Sequence, residues 1–246
     1  MIITLVFHRV TDQNDPSVYE QFRDFLEDIA NRYPIILPGE RVPCHKVGVC
    51  LTFDDAYADF YWYVYPLLKQ LNIRAVLGII PSYMTDSTSM TVKDRMQRCE
   101  VIAFEEVTSE FSAQFCTWQE IDEMVDSSYV IPASHSMNHV NARCETFDSE
   151  TELGLSQQTI AHKVGYSPDC FIYPYGNYDA QNHVKAQQYY RFMMRIGAAL
   201  NFTWYPKTRL LYRVDSDPFW RNNQRLRWYH ILGWVCKTLI NRLRGK

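Results

Sequence analysis

Apolar runs of four to seven residues alternate with helical stripes along almost the whole chain. Ile2 to Phe7 reads as a buried first strand ending at His8. From Val18 to Ile29 the apolar residues Phe22, Phe25, Leu26 and Ile29 trace one helix face, and Ile35 to Leu37 is a second strand candidate closed by Pro38-Gly39. Val47 to Phe53 is a strand that runs directly into Asp54 and Asp55, followed by a helix predicted over Tyr57 to Leu71 with one of the two acids near its N-terminus. Ala75 to Ile80 is the next strand, stopped by Pro81. The pattern then weakens from Ser82 to Phe115, an excursion with short helices of its own over the mouth of the fold, where selectivity would reside.

Regularity returns at Thr117, which with Glu120 forms a capping-box pattern opening a helix to about Asp126. Tyr129 to Ser134 is a strand ending at His135-Ser-Met-Asn-His139. Ser149 and Glu152 repeat the capping-box pattern ahead of a helix to about Lys163, and Cys170 to Tyr173 is a strand leading into the turn Pro174-Tyr175-Gly176-Asn177. A helix from Asp179 to about Tyr190 and strands near Met194 to Leu200 and Leu210 to Val214 complete the count. Strand and helix alternate with no repeated unit, which predicts an α/β fold, either a parallel sheet or a closed barrel.

Composition narrows this. A chain of 246 residues suits one large α/β domain, and a net charge of −3 predicts no general affinity for nucleic acid. That average conceals an asymmetry: residues 218–246 carry seven Lys or Arg and no Asp or Glu, leaving −10 on the rest by difference. We therefore divide the chain into a domain of residues 1–217 and a basic amphipathic helix over 218–246. On a helical projection Trp228, Ile231, Leu232, Val235, Leu239 and Leu243 share one arc with Lys237 opposite, as in a helix packed on the domain or one lying on an anionic membrane surface. The start MIITLVFHRV has no basic residues before its apolar run, so no signal peptide is expected, and no stretch is long enough to span a membrane. The seven scattered cysteines read as reduced thiols of a cytoplasmic protein.

Each polar cluster follows a predicted strand: His8, Asp54-Asp55, His135 with His139, and the Tyr173 to Gly176 turn. In a barrel such ends converge on one face. One carboxylate and two imidazoles suit a hydrolytic zinc site with a position left for water, and the second carboxylate would then be free to accept a proton. Taken singly, an acid pair before a helix is also a cap, two histidines four apart are also surface or core residues, and Pro-Tyr-Gly-Asn is also a plain turn. Their joint placement after successive strands favours the site.

With those residues in view, the chain resembles the metal-dependent polysaccharide deacetylases that share the NodB homology domain, carbohydrate esterase family four. Thr52-Phe53-Asp54-Asp55 resembles that family's first motif, Ser134 to His139 its H-[ST]-x-x-H motif, and Phe171 to Gly176 its third, while Val6 to Val10 is similar to the entry of one branch. Over residues 2–214 the resemblance implies a distorted (β/α) barrel of about seven strands. It also implies one divalent ion, Zn2+ foremost with Co2+, Ni2+ or Mn2+ as alternatives, held by Asp55, His135 and His139, with Asp54 as general base. Pro174 and Tyr175 would line the substrate groove, the Tyr175 amide facing the oxyanion.

Two departures stand out. Ile172 occupies the place of the family's usual base-orienting arginine, a part Arg9 or Arg213 would have to play; Arg213 is also a candidate substrate-binding residue. No L-x-H motif supplies the usual general acid, which leaves His8 as the candidate, since His230 falls in the tail. The implied reaction is removal of an N-acetyl group from an amino sugar of a glycan or lipid-linked precursor, such as lipopolysaccharide or capsule, at the cytoplasmic face of a membrane. Two alternatives use the same fold: a non-catalytic carbohydrate-binding protein, and an O-acetyl esterase or amidase.

Overall fold

The structure, a computed structural model, describes residues 1–12, 14–98 and 111–243. Seven parallel strands close into a barrel in sequence order: β1 (Ile2–Phe7), β2 (Gly48–Phe53), β3 (Ala75–Ile79), β4 (Val130–Ser134), β5 (Cys170–Ile172), β6 (Phe192–Ile196) and β7 (Leu210–Asp215). Among the described residues eight α-helices accompany them: α1 (Ser17–Arg32), α2 (Tyr65–Leu71), α3 (Val92–Arg98), α4 (Trp118–Asp126), α5 (Ser156–Val164), α6 (Ala180–Tyr189), α7 (Asp217–Trp220) and α8 (Trp228–Leu243). Closure rests on Leu5 and Val6 pairing with Val214 and Asp215. Strand alternation then sorts side chains: Ile3, Leu5, Phe7, Val49, Leu51 and Phe53 point outward into a core shared with α1 and α2, while Ile2, Cys50, Cys170, Ile172, Met194 and Leu211 fill the barrel interior.

The elements follow the hydrophobic pattern closely, and each discrepancy has a local cause. Ile35 to Leu37 makes only an isolated bridge from Ile35 to Val49 rather than a strand. The sixth strand ends at Ile196; beyond it Gly197 packs against Tyr212 so tightly that a Cβ would lie 2.4 Å from the ring. The helix expected from Tyr57 starts at Phe60 as a π-helical turn, Phe60–Val64, and becomes α-helical at Tyr65. Pro66, in the first turn of α2, has no N–H to donate to the preceding turn, and the wider turn accommodates that loss. The acid pair therefore does not cap this helix. Asp59, which immediately precedes it, instead accepts the amides of Val10 and Thr11 and the Thr11 hydroxyl, pinning the loop after β1.

Of the two expected capping boxes, the one at Thr117 and Glu120 forms in full. Ser149 makes no cap; Asp148 accepts the Thr151 amide and hydroxyl in its place, and Glu152 is turned inward. Part of the predicted excursion, residues 99–110, lies outside the described residues. The six described cysteines (Cys44, Cys50, Cys116, Cys144, Cys170, Cys236) are free thiols. Among the described residues no helix is long and apolar enough to cross a membrane.

Candidate active site

The C-terminal ends of β1, β2, β4, β5 and β7 deliver the polar clusters to one mouth. Asp54 and Asp55 follow β2 directly. Asp55 and Ala56 both adopt left-handed backbone (φ 72° and 53°), and so do Ser136, His139 and Tyr175 (62°, 57° and 59°). Non-glycine residues in this region are strained, and here they gather around one point.

That point is Asp55 Oδ1, which lies 3.4 Å from His135 Nε2 and 3.6 Å from His139 Nε2. All three residues are buried, and their ligand atoms lie within 4.8 Å of one another. The oxygen is itself buried and accepts no hydrogen bond from the protein. A carboxylate oxygen so enclosed needs a positive partner. His135 Nδ1 is 2.8 Å from the Ile172 carbonyl, which can only accept; Nδ1 therefore carries the proton, and the Nε2 lone pair faces Asp55. Burial, reinforced by neighbouring His135, pushes the His139 imidazole down to about 4, so at pH 7 this ring is neutral and offers a lone pair. Two imidazole Nε2 atoms and one carboxylate with an orphaned oxygen fit a divalent cation with coordination positions to spare.

Asp54 belongs to a different set of contacts. Arg213 donates from Nη1 to Oδ1 (2.6 Å) and from Nη2 to Oδ2 (2.8 Å), and from Nη1 also to Thr52 Oγ1 (3.1 Å). Burial alone would raise the Asp54 carboxyl. The Arg213 guanidinium, with His135 and His8 behind it, reverses that and holds it well below the usual carboxylate range. Asp54 thus stays anionic beside the three-residue cluster without joining it.

Arg213 is fully buried inside the barrel on β7, two strands along from Ile172 of β5, where the resemblance puts an arginine. Its assignment among substrate-binding groups is corrected accordingly: both Nη groups are committed to Asp54, and none of its surface is open to a substrate. Arg9, the other candidate for orienting Asp54, instead lies over the Tyr57 ring, 5.1 Å from its centroid. Ile172 and Asp54 both lie against Gly78: a Cβ there would sit 3.1 Å from Ile172 Cδ1 and 3.5 Å from Asp54 Oδ1.

His8 stands on the far side of Asp54, its Nε2 4.0 Å from Asp54 Oδ2 and its Nδ1 3.4 Å from Asp217 Oδ2. Burial lowers its pKa, but the Asp217 contact and the charges of Asp54 and Asp55 outweigh that and raise it to about 9. The ring keeps 37% exposure, so water screens part of this effect. His8 is therefore a cation at neutral pH. Pro174 is buried at the end of β5, while Tyr175 is exposed and its ring tilts over His139 at 4.7 Å. His230 is remote, packed among Phe219, Tyr229 and Trp234.

Two residues of the site are invisible to motif reasoning. Buried Glu152 accepts both the backbone amide and the side-chain amide of Asn138 (3.0 and 2.8 Å), fixing the loop that presents His139. Asp217 is the partner of His8. In the sequence Glu152 mimics a cap and Asp217 is one acid among many, so neither carries a signal.

The sequence model described as polysaccharide deacetylase matches residues 42–192. The chain belongs to the polysaccharide deacetylase family. Within it, the chain is 30% identical over 162 residues to a poly-beta-1,6-N-acetyl-D-glucosamine N-deacetylase of Escherichia coli O157:H7, a match covering 54% of this chain and 22% of that protein. The chain thus spans about a fifth of the length of that curated relative. The fold is shared with a de-N-acetylase from Aggregatibacter actinomycetemcomitans (TM-score 0.68, 20% identity, 95% of this chain and 99% of that one). It is shared as well with IcaB from Ammonifex degensii (TM-score 0.68, 18% identity, 88% and 94%).

Proposed function

We propose that this polysaccharide deacetylase hydrolyses the N-acetyl group of an amino sugar in a glycan or lipid-linked glycan precursor. The observation that carries the reading is the buried, unpartnered Asp55 Oδ1 facing two imidazole Nε2 atoms, with an anionic carboxylate beside it that is tied to an arginine instead. Asp55, His135 and His139 would hold one divalent ion, Zn2+ by the donor set, with Co2+, Ni2+ or Mn2+ able to substitute. When bound, that ion supplies Lewis acidity toward the acetyl carbonyl and lowers the pKa of water.

The chain's own groups divide the remaining work. Asp54 removes a proton from the attacking water as its oxygen bonds to the acetyl carbon. The Tyr175 amide stabilises the oxyanion, and Pro174 and Tyr175 bound the groove in which the sugar lies. His8, cationic through its contact with Asp217, donates a proton to the nitrogen as the C–N bond breaks, so acetate and a free amine leave. Arg213 holds Asp54 anionic and oriented, taking the part left vacant at Ile172, and this substitute argues against the rival reading of a non-catalytic carbohydrate-binding protein.

The substrate class draws support from the E. coli relative named for poly-beta-1,6-N-acetyl-D-glucosamine. A cytoplasmic-face substrate is supported by the free thiols, and a peripheral membrane contact through residues 221–246 by their basic charge. The test is acetate release from soluble and lipid-linked acetylated amino sugars, alongside metal analysis of the purified protein. Stoichiometric metal with acetate release supports the enzyme; tight sugar binding with no acetate from any sugar overturns it in favour of the binding protein. Acetate only from O-acetylated sugars would make it an esterase.

A further inference from the structure

Helix α8 has two apolar faces, and only one is used in folding. The inner face packs Trp234 against Phe219 and buries Thr238, whose hydroxyl accepts the Leu200 amide and donates to the Leu200 carbonyl. Ile231 and Val235 pack partly against the same core, so the single arc expected from the sequence splits between the two sides. The outer face carries Trp228 (73% exposed), Tyr229, Leu232, Leu239, Ile240 and Leu243 (88%). At about 100° per residue these six fall within roughly 120° of the circumference, opposite Trp234 and Thr238. Among the described residues nothing covers them, and exposed Phe202 extends the patch beneath Arg242, whose guanidinium lies 5.2 Å from its ring centroid.

Charge decides what such a face suits. Exposed Lys237 and Arg242 flank the stripe on its two sides, exposed Arg227 immediately precedes the helix, and among the described residues none of the three has an acidic partner. A cleft of about 390 Å³ at the end of the helix adds Lys207 beside Arg242. The segment 218–246 contains no Asp or Glu at all. An apolar stripe with aromatic residues at one end and cations along its borders matches a bilayer interface bearing anionic headgroups: acyl chains receive the stripe and phosphates the cations. A second copy of the chain would bring the same positive charges against themselves.

We propose that the outer face of α8 docks this protein on an anionic lipid surface, with α8 remaining folded against the barrel. This deepens the peripheral-contact part of the proposed function and does not depend on the chemistry of the site. Thr238 is hydrogen-bonded to Leu200, whose neighbour Asn201 bridges to Ile2 of β1, and Trp234 packs on Phe219 of α7, which follows β7, so docking through α8 sets the orientation of the barrel relative to the bilayer.

The test is co-sedimentation of the full chain with phosphatidylcholine vesicles, with and without 30% phosphatidylglycerol, at low and high salt. Expected are binding to the anionic vesicles that weakens with salt, and a loss of roughly ten-fold or more in the partition coefficient for Leu232→Glu/Leu239→Glu. Both side chains point to solvent, so circular dichroism, metal content and acetate release from a soluble sugar should be unchanged in this variant; these same readouts separate failure of docking from failure of the deacetylase reading. Equal binding to neutral vesicles, binding that survives the double substitution, or a dimer abolished by it without vesicle binding would each overturn the proposal.

Discussion

The barrel mouth and the outer face of α8 invert the ordinary burial rule in opposite directions. At the mouth, Asp54, Asp55, His135, His139 and Arg213 are withdrawn from water; on α8, tryptophan and leucine are pushed into it. Neither arrangement is what folding alone favours. At the mouth the cost is offset group by group, by the bidentate arginine on Asp54, the carbonyl on His135 and the carboxylate of Glu152 on the histidine loop. One oxygen, Asp55 Oδ1, is left over. On α8 no protein group offsets the exposure among the described residues. In both places what is left unsatisfied motivates the partner proposed for it: a cation at the mouth, a lipid surface on the wall.

Substitutions can break this contrast at different depths. Asp54→Asn should lower kcat/KM by about 10² to 10⁴ while leaving bound metal intact, read by acetate release and elemental analysis; retention of full activity would remove Asp54 as the base. Arg213→Leu strands a buried carboxylate, so about 3–5 kcal/mol of stability should go in denaturant unfolding, together with activity. Adding Ile172→Arg to that variant brings an arginine in from β5 and should recover part of both losses, because what Asp54 needs is a guanidinium, whichever strand supplies it. Glu152→Ala frees the Asn138 amides and should weaken metal affinity by about 10- to 100-fold in a competitive chelator titration, with Asp54 unaffected.

A smaller effect concerns pH. His8 must be protonated to act as the acid, and its pKa is raised to about 9, so kcat should be retained through neutral pH and fall as pH climbs through about 9. Asp217→Asn removes the contact and the charge, so the alkaline limb should move down toward the ordinary histidine range near ~6.5. An unmoved limb would mean that His8 is not the donor. The smallest effect lies on the wall: Leu239→Ser should alter stability by no more than about 0.5 kcal/mol, since the side chain already faces solvent.

Much of this protein was legible without coordinates. Short continuous apolar runs and a period near four set the strands and helices, because barrel strands are buried on both faces while a helix on the wall buries one. Asp54-Asp55 and the His135 to His139 spacing are local in sequence, so the three residues that the barrel gathers into one cluster, the proposed metal ligands, could be picked out from them. What stayed hidden joins residues far apart in the chain. The sequence offered both Arg9 and Arg213 to Asp54 and could not choose between them; Arg213 meets Asp54 across 159 positions only because the barrel closes β7 onto β1 and turns both side chains into one interior. Glu152 looks like a capping residue until the Asn138 loop folds over it, and Asp217 is an anonymous acid until it faces His8. The side of α8 that packs was not legible either: periodicity marked one apolar arc that leaves out Trp234 and Thr238, and the fit of those two against Phe219 and Leu200 made the choice. Local pattern determines which elements form; contacts at long sequence separation, which no local pattern encodes, decide which charges meet and which surface is left over.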